Sequence, residues 1–230
     1  MATEQIDQQE IARWLELLRS EDIEERLKAV VELGRIGIRT RGSAIRTRGS
    51  IRQAAAARVE DKEGVLRTLE VALRDEDPRI RAEAAFALGE LADEGAVKVL
   101  RTIALGDTPD PEPRVRAAVA DALGKIGGSK AVEALKEIAL NDPDEMVRSR
   151  SVNALAMLAS EATAKGDTEH LIRTRGGVRT RGGVPSSGTV VRKPAPEAEP
   201  LIDFLKTVRE REVSDYVRYL ADSALADLGQ

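Results

Sequence analysis

The chain has 230 residues, 42% of them hydrophobic but only 2% aromatic, so its core must be built from Ala, Leu, Val and Ile, a composition that suits closely packed helices better than a β-sandwich. Cysteine is absent and histidine occurs once, which excludes disulfide scaffolds, thiolate chemistry and a His-pair zinc site and leaves little room for a Ser-His-Asp triad. The formal charge of −4 hides a split: residues 38–59 and 171–194 carry twelve of the 36 basic residues and no acid, leaving −16 on the remainder, so the body repels nucleic acid while the two basic stretches attract anions.

The chain opens on a polar, acidic stretch, which is no secretory signal, and no apolar run approaches the roughly 18–20 residues that cross a bilayer. A cytoplasmic location in a reducing compartment is expected. The first amphipathic stretch covers 6–19, where Trp14 falls beside Ile11, Leu15 and Leu18 as a cap on the core. A helix led by Arg26 follows. Its pattern of an arginine, small residues, then Leu-Gly or Leu-Ala, one more residue and Ile or Leu returns at 81–91, 116–126, 148–158 and 218–228. Between these lie amphipathic stretches at 64–73, 95–105, 130–140 and 200–213, with apolar residues recurring at three and four. Asp77-Pro78 and Asp142-Pro143 read as an acidic N-cap before a first-turn proline. Gly37, Gly127 and Gly128 stand where a helix must stop and turn. Gly64, Gly89 and Gly124 fit helix starts or close helix contact. Glu94, Gly95 and Asp121 read as capping or surface positions.

Ten helices in five antiparallel pairs follow, an all-α, right-handed solenoid over 1–230. One pair cannot bury its own apolar face, and stacking supplies the core. The led arginines are 35 and 32 residues apart from Arg81 to Arg148, but 55 from Arg26 to Arg81 and 70 from Arg148 to Arg218. The excess falls on two insertions, at 38–60 and 161–199. They carry the tetrad Arg-Thr-Arg-Gly four times, with Arg39, Arg41, Arg46, Arg48, Arg173, Arg175, Arg179 and Arg181. Gly, Thr and the prolines from Pro185 onward predict mobile loops. Three readings of them compete: a tolerated expansion, an anion-seeking loop that grips carboxylates through arginine forks, and RNA binding. The missing aromatics and the acidic body argue against nucleic acid.

The Asp-Pro-Arg-Ile-Arg-Ala-Glu-Ala-Ala-Phe-Ala-Leu-Gly-Glu-Leu run at 77–91 resembles a HEAT repeat of the phycobilisome-lyase HEAT-like type. So does Pro-Arg-Val-Arg-Ala-Ala-Val-Ala-Asp-Ala-Leu-Gly-Lys-Ile-Gly at 113–127, with Ala-Val-Glu-Ala-Leu at 131–135. That family includes adaptors, subunits of the E/F type of bilin lyase, and proteins of phycobilisome assembly or breakdown. The resemblance implies that the repeated arginines, Arg81, Arg116 and Arg148, pair with the loop acids Asp77, Asp110 or Asp142 and staple one repeat to the next. It also implies a concave side lined by the second helix of each pair. The stretches between the arginine-led helices supply Arg67, Glu70, Lys98, Arg101, Glu133, Lys136, Lys206 and Arg209 to that face, a mixed-charge groove that steers a protein partner.

The expected function is a non-catalytic scaffold or adaptor holding a protein partner on its concave helices, with the basic loops on the partner's acidic rim. The resemblance names a phycobiliprotein, or a second HEAT-like subunit, as that partner. The alternative is a bilin lyase subunit attaching or removing a bilin on a phycobiliprotein cysteine; RNA binding through the loops is the third. No catalytic residue, metal site or cofactor is expected on the scaffold reading, and bilin is the cofactor on the lyase reading. His170 reads as solvated. Tyr216 and Tyr219 share one side of the last helix and either seal the stack or join two copies.

Overall fold

The computed structural model describes residues 8–42, 62–174, 198–212 and 214–229, with side chains over 12–35, 63–163, 198–212 and 214–229. Among them all regular structure is helical: α1 (Gln8–Leu17), α2 (Ile23–Gly42), α3 (Lys62–Ala72), α4 (Pro78–Leu91), a 3-10 turn (Glu94–Ala96), α5 (Val97–Leu105), α6 (Pro113–Ile126), α7 (Gly128–Asn141), α8 (Glu145–Thr174), α9 (Glu199–Arg211) and α10 (Asp215–Asp227). The chain divides into two units, Met1–Ser151 and Val152–Gln230, with the boundary inside α8.

In the first unit the helices form two layers. The arginine-led helices α2, α4 and α6 pack on one another, and α1, α3, α5 and α7 pack on that layer. Leu33, Leu69, Leu73, Ile80, Leu88, Leu100, Leu123, Leu135 and Ile138 are fully buried. The α2–α4–α6 layer is tight because its contact positions are small. Gly34 abuts Ala87 and Gly89 abuts Ala122, each pair joining the eighth residue after one arginine to the sixth after the next. The outer helices meet through long side chains instead, as where Arg101 Nη2 donates to Glu137 Oε2 across α5 and α7 at 2.7 Å.

A stack that is tight in one layer and loose in the other bends toward the tight layer. The arginine-led helices therefore line the inside of the first unit. The sequence expectation placed the concave face on the other layer. Arg67, Glu70, Lys98, Arg101, Glu133 and Lys136 lie on α3, α5 and α7, the looser layer, where Arg67, Lys98, Arg101 and Glu133 are exposed.

Local signals place the helix ends. Asp77 caps α4, its carboxylate accepting from the Arg79 N–H at 2.8 Å, and Pro78 opens the helix. Gly127 closes α6 at φ 68° and Gly128 opens α7 at φ 79°, a corner in the left-handed region that glycine adopts without a Cβ penalty. Gly37 does not stop α2, which continues to Gly42 and takes the first tetrad, Arg39–Gly42, into its last turn. The second expected insertion is helical as far as Thr174, so Gly166, His170 and Arg173 belong to α8. Ala, Glu, Lys and Leu carry that stretch, and no proline intervenes before Pro185. Arg46, Arg48, Arg175, Arg179 and Arg181 lie outside the described residues.

In the second unit α9 and α10 pack together through Leu205, Val208, Val217, Ala221 and Leu225. Lys206 and Arg209 lie on α9 beside acids, Lys206 near Asp203 at 3.7 Å and Arg209 near Asp222 at 3.8 Å. Tyr216 and Tyr219 on α10 are exposed. Among the described residues no helix is long and apolar enough to cross a membrane, and no cluster of His, Cys, Asp or Glu is placed to hold a metal ion.

Candidate interaction face

The repeated arginines do one job at successive positions. Arg26 forks onto Asp75, with Nε to Oδ2 at 2.9 Å and Nη2 to Oδ1 at 3.1 Å. Arg81 forks onto Asp110 at 2.6 and 3.0 Å, and Arg116 onto Asp142 at 2.8 and 2.9 Å. The remaining Nη1 of each donates back to the carbonyl six residues earlier: Ser20 for Arg26, Asp75 for Arg81, Asp110 for Arg116 and Asp142 for Arg148. One aspartate thus takes an arginine fork on its side chain and the next arginine on its carbonyl, so three loops are tied in series. The same acids also order their own turns, with Asp75, Asp110 and Asp142 accepting from the N–H two residues on. Hydrogen bonding to Asp142 pushes the Arg116 guanidinium above its usual value, against the opposing effect of burial.

Asp77 is not in this series. Asp75 takes the place expected of it, and Asp77 serves as the α4 cap and holds Arg79, whose side chain also reaches Glu24 on α2. Hydrogen bonds from Arg79 hold the Asp77 carboxyl below its ordinary range. The spacing of six between acid and arginine was present in the sequence; the adjoining Asp-Pro pairs concealed it, because Asp77-Pro78 and Asp142-Pro143 differ by two in register.

With the arginines held in the loops, the inner surface belongs to other positions of the same helices. On α4, Glu83, Phe86 and Glu90 recur at three and four and share a side. On α6, Asp121 and Lys125 do likewise, beside Ala118. Lys125 crosses between the helices. Its ammonium lies 3.5 Å from the centroid of the Phe86 ring and pairs with Glu90. It also acts at longer range on Glu83 and Asp121. Arg150, on the next helix, approaches Asp121 at 3.4 Å. Phe86 is 37% exposed, the one phenylalanine of this unit. Sequence reading passed over Phe86, Glu83, Glu90 and Lys125; the signal was an aromatic residue on an otherwise alanine-rich helix.

Two carboxyls here are perturbed by burial. Desolvation pushes Glu83 above its ordinary value of 4.5 and Asp121 above 3.8; Lys125 offsets part of the first shift, and Arg150, then Lys125, part of the second. A raised carboxyl in the folded state binds its proton more tightly than in the unfolded chain. Its contribution to stability is therefore present at low pH and is lost as pH rises from the unfolded value through the folded one. Replacing Glu83 with glutamine removes that loss. Urea unfolding of Glu83→Gln, followed from pH 4 to pH 7, is expected to show a smaller fall, or larger rise, in stability over that interval than the parent chain; an unchanged difference between the two proteins at all pH values contradicts it.

A hollow of about 70 Å³ lies at the other end of these helices, lined by Glu94, Val97, Gly127, Gly128, Ser129 and Lys130. That volume falls well below the several hundred cubic ångströms of a small-molecule pocket.

Residues 65–156 match a family model described as HEAT repeats. No curated protein matches the chain. Among solved structures, an engineered protein from a structural genomics consortium is similar over 96% of this chain at 20% identity and a TM-score of 0.50; the present chain spans about half of it, 48%. An archaeal HEAT-like repeats protein from Thermococcus onnurineus is similar over 96% of this chain and 87% of its own length, at 19% identity and a TM-score of 0.41. The complex of CpcE and CpcF of phycocyanin lyase from a Nostoc species is similar over 99% of this chain and 98% of that one, at 18% identity and a TM-score of 0.38.

Proposed function

We propose that this HEAT-like repeat protein is a non-catalytic scaffold that holds a protein partner on the inner face of its first unit. The supporting observation is the half-exposed Phe86 set among Glu83, Glu90, Asp121 and Lys125 on two helices whose backbones are locked together. A preformed surface loses little freedom on binding, and an aromatic residue ringed by charge is the usual anatomy of an anchor with a polar rim. The resemblance of 77–91 and 113–127 to phycobilisome-lyase HEAT-like repeats supports a phycobiliprotein as the partner class.

The test places a photo-crosslinking amino acid at Ala118, on the inner face, and separately at Val71, on the outer layer. Irradiation in the source cells is expected to give one dominant protein adduct from Ala118 that is lost in Phe86→Ala, and none of that mass from Val71. Equal labelling from both positions sinks the assignment of the face.

A second reading, a subunit of a bilin lyase, is supported by the same motifs and by the two carboxyls whose protonated forms burial favours, since burial that favours the protonated form suits a proton donor. A visible absorbance shift when bilin is mixed with the chain and a second HEAT-like subunit would favour it; an unchanged spectrum returns the case to the scaffold.

A further inference from the structure

Building on that scaffold reading, we propose that the segment received by the inner face is basic: an arginine or lysine side chain of the partner lodges beside Glu83 and Asp121 while an apolar neighbour covers the Phe86 ring. The charge count at the face argues for this. Three carboxylates, those of Glu83, Glu90 and Asp121, lie around one ammonium, Lys125, and that ammonium is already engaged by Glu90 and by the Phe86 ring. Arg150 relieves Asp121 only at 3.4 Å and from an exposed position. Glu83 has no hydrogen bond or ion pair among the described residues, although it is half-buried.

A carboxylate withdrawn from water whose cations offset only part of the loss keeps the remainder of its desolvation cost. Its removal by a cation brought from outside is a gain available only in the complex. An acidic segment meets the opposite situation, because it would add to the excess of negative charge and find Lys125 occupied. Nucleic acid is disfavoured on the same ground. The Phe86 ring supplies what charge alone does not, an apolar seat that fixes register along α4 between Glu83 and Glu90.

The experiment uses the whole chain and two fluorescein-labelled peptides, one alternating arginine with leucine and the other alternating glutamate with leucine, read by fluorescence anisotropy. The arginine peptide is expected to bind and to weaken as salt is raised, since exposed charge interactions are screened. Glu83→Gln and Asp121→Asn are each expected to raise its Kd about threefold to fivefold, the size of a modest charge contact. Glu137→Gln, on the outer layer, leaves it unchanged. Glu83→Gln removes an unpaired charge and keeps the fold, so a loss of binding with undiminished unfolding stability separates recognition from damage.

Three outcomes overturn the proposal: no binding of the arginine peptide, preference for the glutamate peptide, or equal loss from Glu137→Gln. A fourth is a dimer in sedimentation that Glu83→Gln dissociates, which gives the face to a second copy. If the peptide result fails while Ala118 still yields its partner adduct, the face stands and only the basic chemistry of its occupant is lost.

Discussion

Arg116→Ala is expected to destabilise the first unit by about 3–5 kcal/mol, because it strips the partner from a buried carboxylate. The side chains of Arg116 and Asp142 are 7% and 2% exposed. Removing the guanidinium breaks two parallel bonds to Asp142 and the bond to the Asp110 carbonyl, and leaves Asp142 with the Asp144 N–H alone. The outer pair of Arg101 and Glu137 is the control. Its side chains are 56% and 43% exposed, so Arg101→Ala is expected to cost at most about 1 kcal/mol. Arg116→Lys should recover only a minor part of the loss, since an ammonium cannot fork onto a carboxylate. Urea unfolding followed by circular dichroism reads all three, and equal midpoints for Arg116→Ala and Arg101→Ala would show that the series of forks does not hold the loops.

The series gives the recurring arginine a structural task at three successive positions, Arg26, Arg81 and Arg116. Arg26, Arg81 and Arg116 each span two loops, and Asp75, Asp110 and Asp142 each serve two arginines, one by side chain and one by carbonyl. A change at one rung therefore strains the next. Ser20 stands where the other repeats carry an acid six residues before the arginine, and its carbonyl still accepts from Arg26. The first repeat keeps the backbone half of the rung and lacks the side-chain half.

Helix positions were legible because apolar residues three and four apart, with an arginine at a fixed place, leave little choice of fold. Residues 81–91 and 116–126 announced α4 and α6, and the close contact of Gly89 was readable as one option among several. The side that faces inward was not legible in the sequence. Both layers are amphipathic, so polarity alone does not say which faces inward. The deciding property is how near neighbouring helices approach, and that is set by Gly34, Ala87, Gly89 and Ala122, small residues concentrated on one layer. Asp75 was missed for Asp77 because a proline drew attention to the cap rather than to the spacing from the arginine. Lys125 was missed because its role depends on a ring and a carboxylate on another helix, and no pattern along one chain segment encodes that meeting.

Gly89→Ala is the second large effect and tests the close layer directly. A methyl there would lie 2.7 Å from Ala122 Cα and 2.9 Å from Ala122 Cβ, against an optimum of about 3.5–4.0 Å between carbons. The nearer atom is backbone, so no rotamer change relieves it, and α4 and α6 must part. Such overpacking costs about 1–3 kcal/mol, and backbone opposition places this site at the upper end. Alanine in place of glycine within a helix returns about 1 kcal/mol, which leaves a net loss of about 2 kcal/mol. Gly34→Ala meets Ala87 at 3.1 Å to Cβ and 3.3 Å to Cα, a contact that gives by a few tenths of an ångström, so strain and helix gain nearly cancel. Adding Ala122→Gly to Gly89→Ala removes the 2.9 Å contact but not the 2.7 Å one, and it forfeits helix propensity at 122. The double variant should therefore be no more stable than Gly89→Ala alone in thermal unfolding. Full rescue would mean that the two backbones stand further apart than a glycine-to-alanine contact requires, and with that the tight layer, the direction of bending and the inner placement of Phe86 would all be withdrawn.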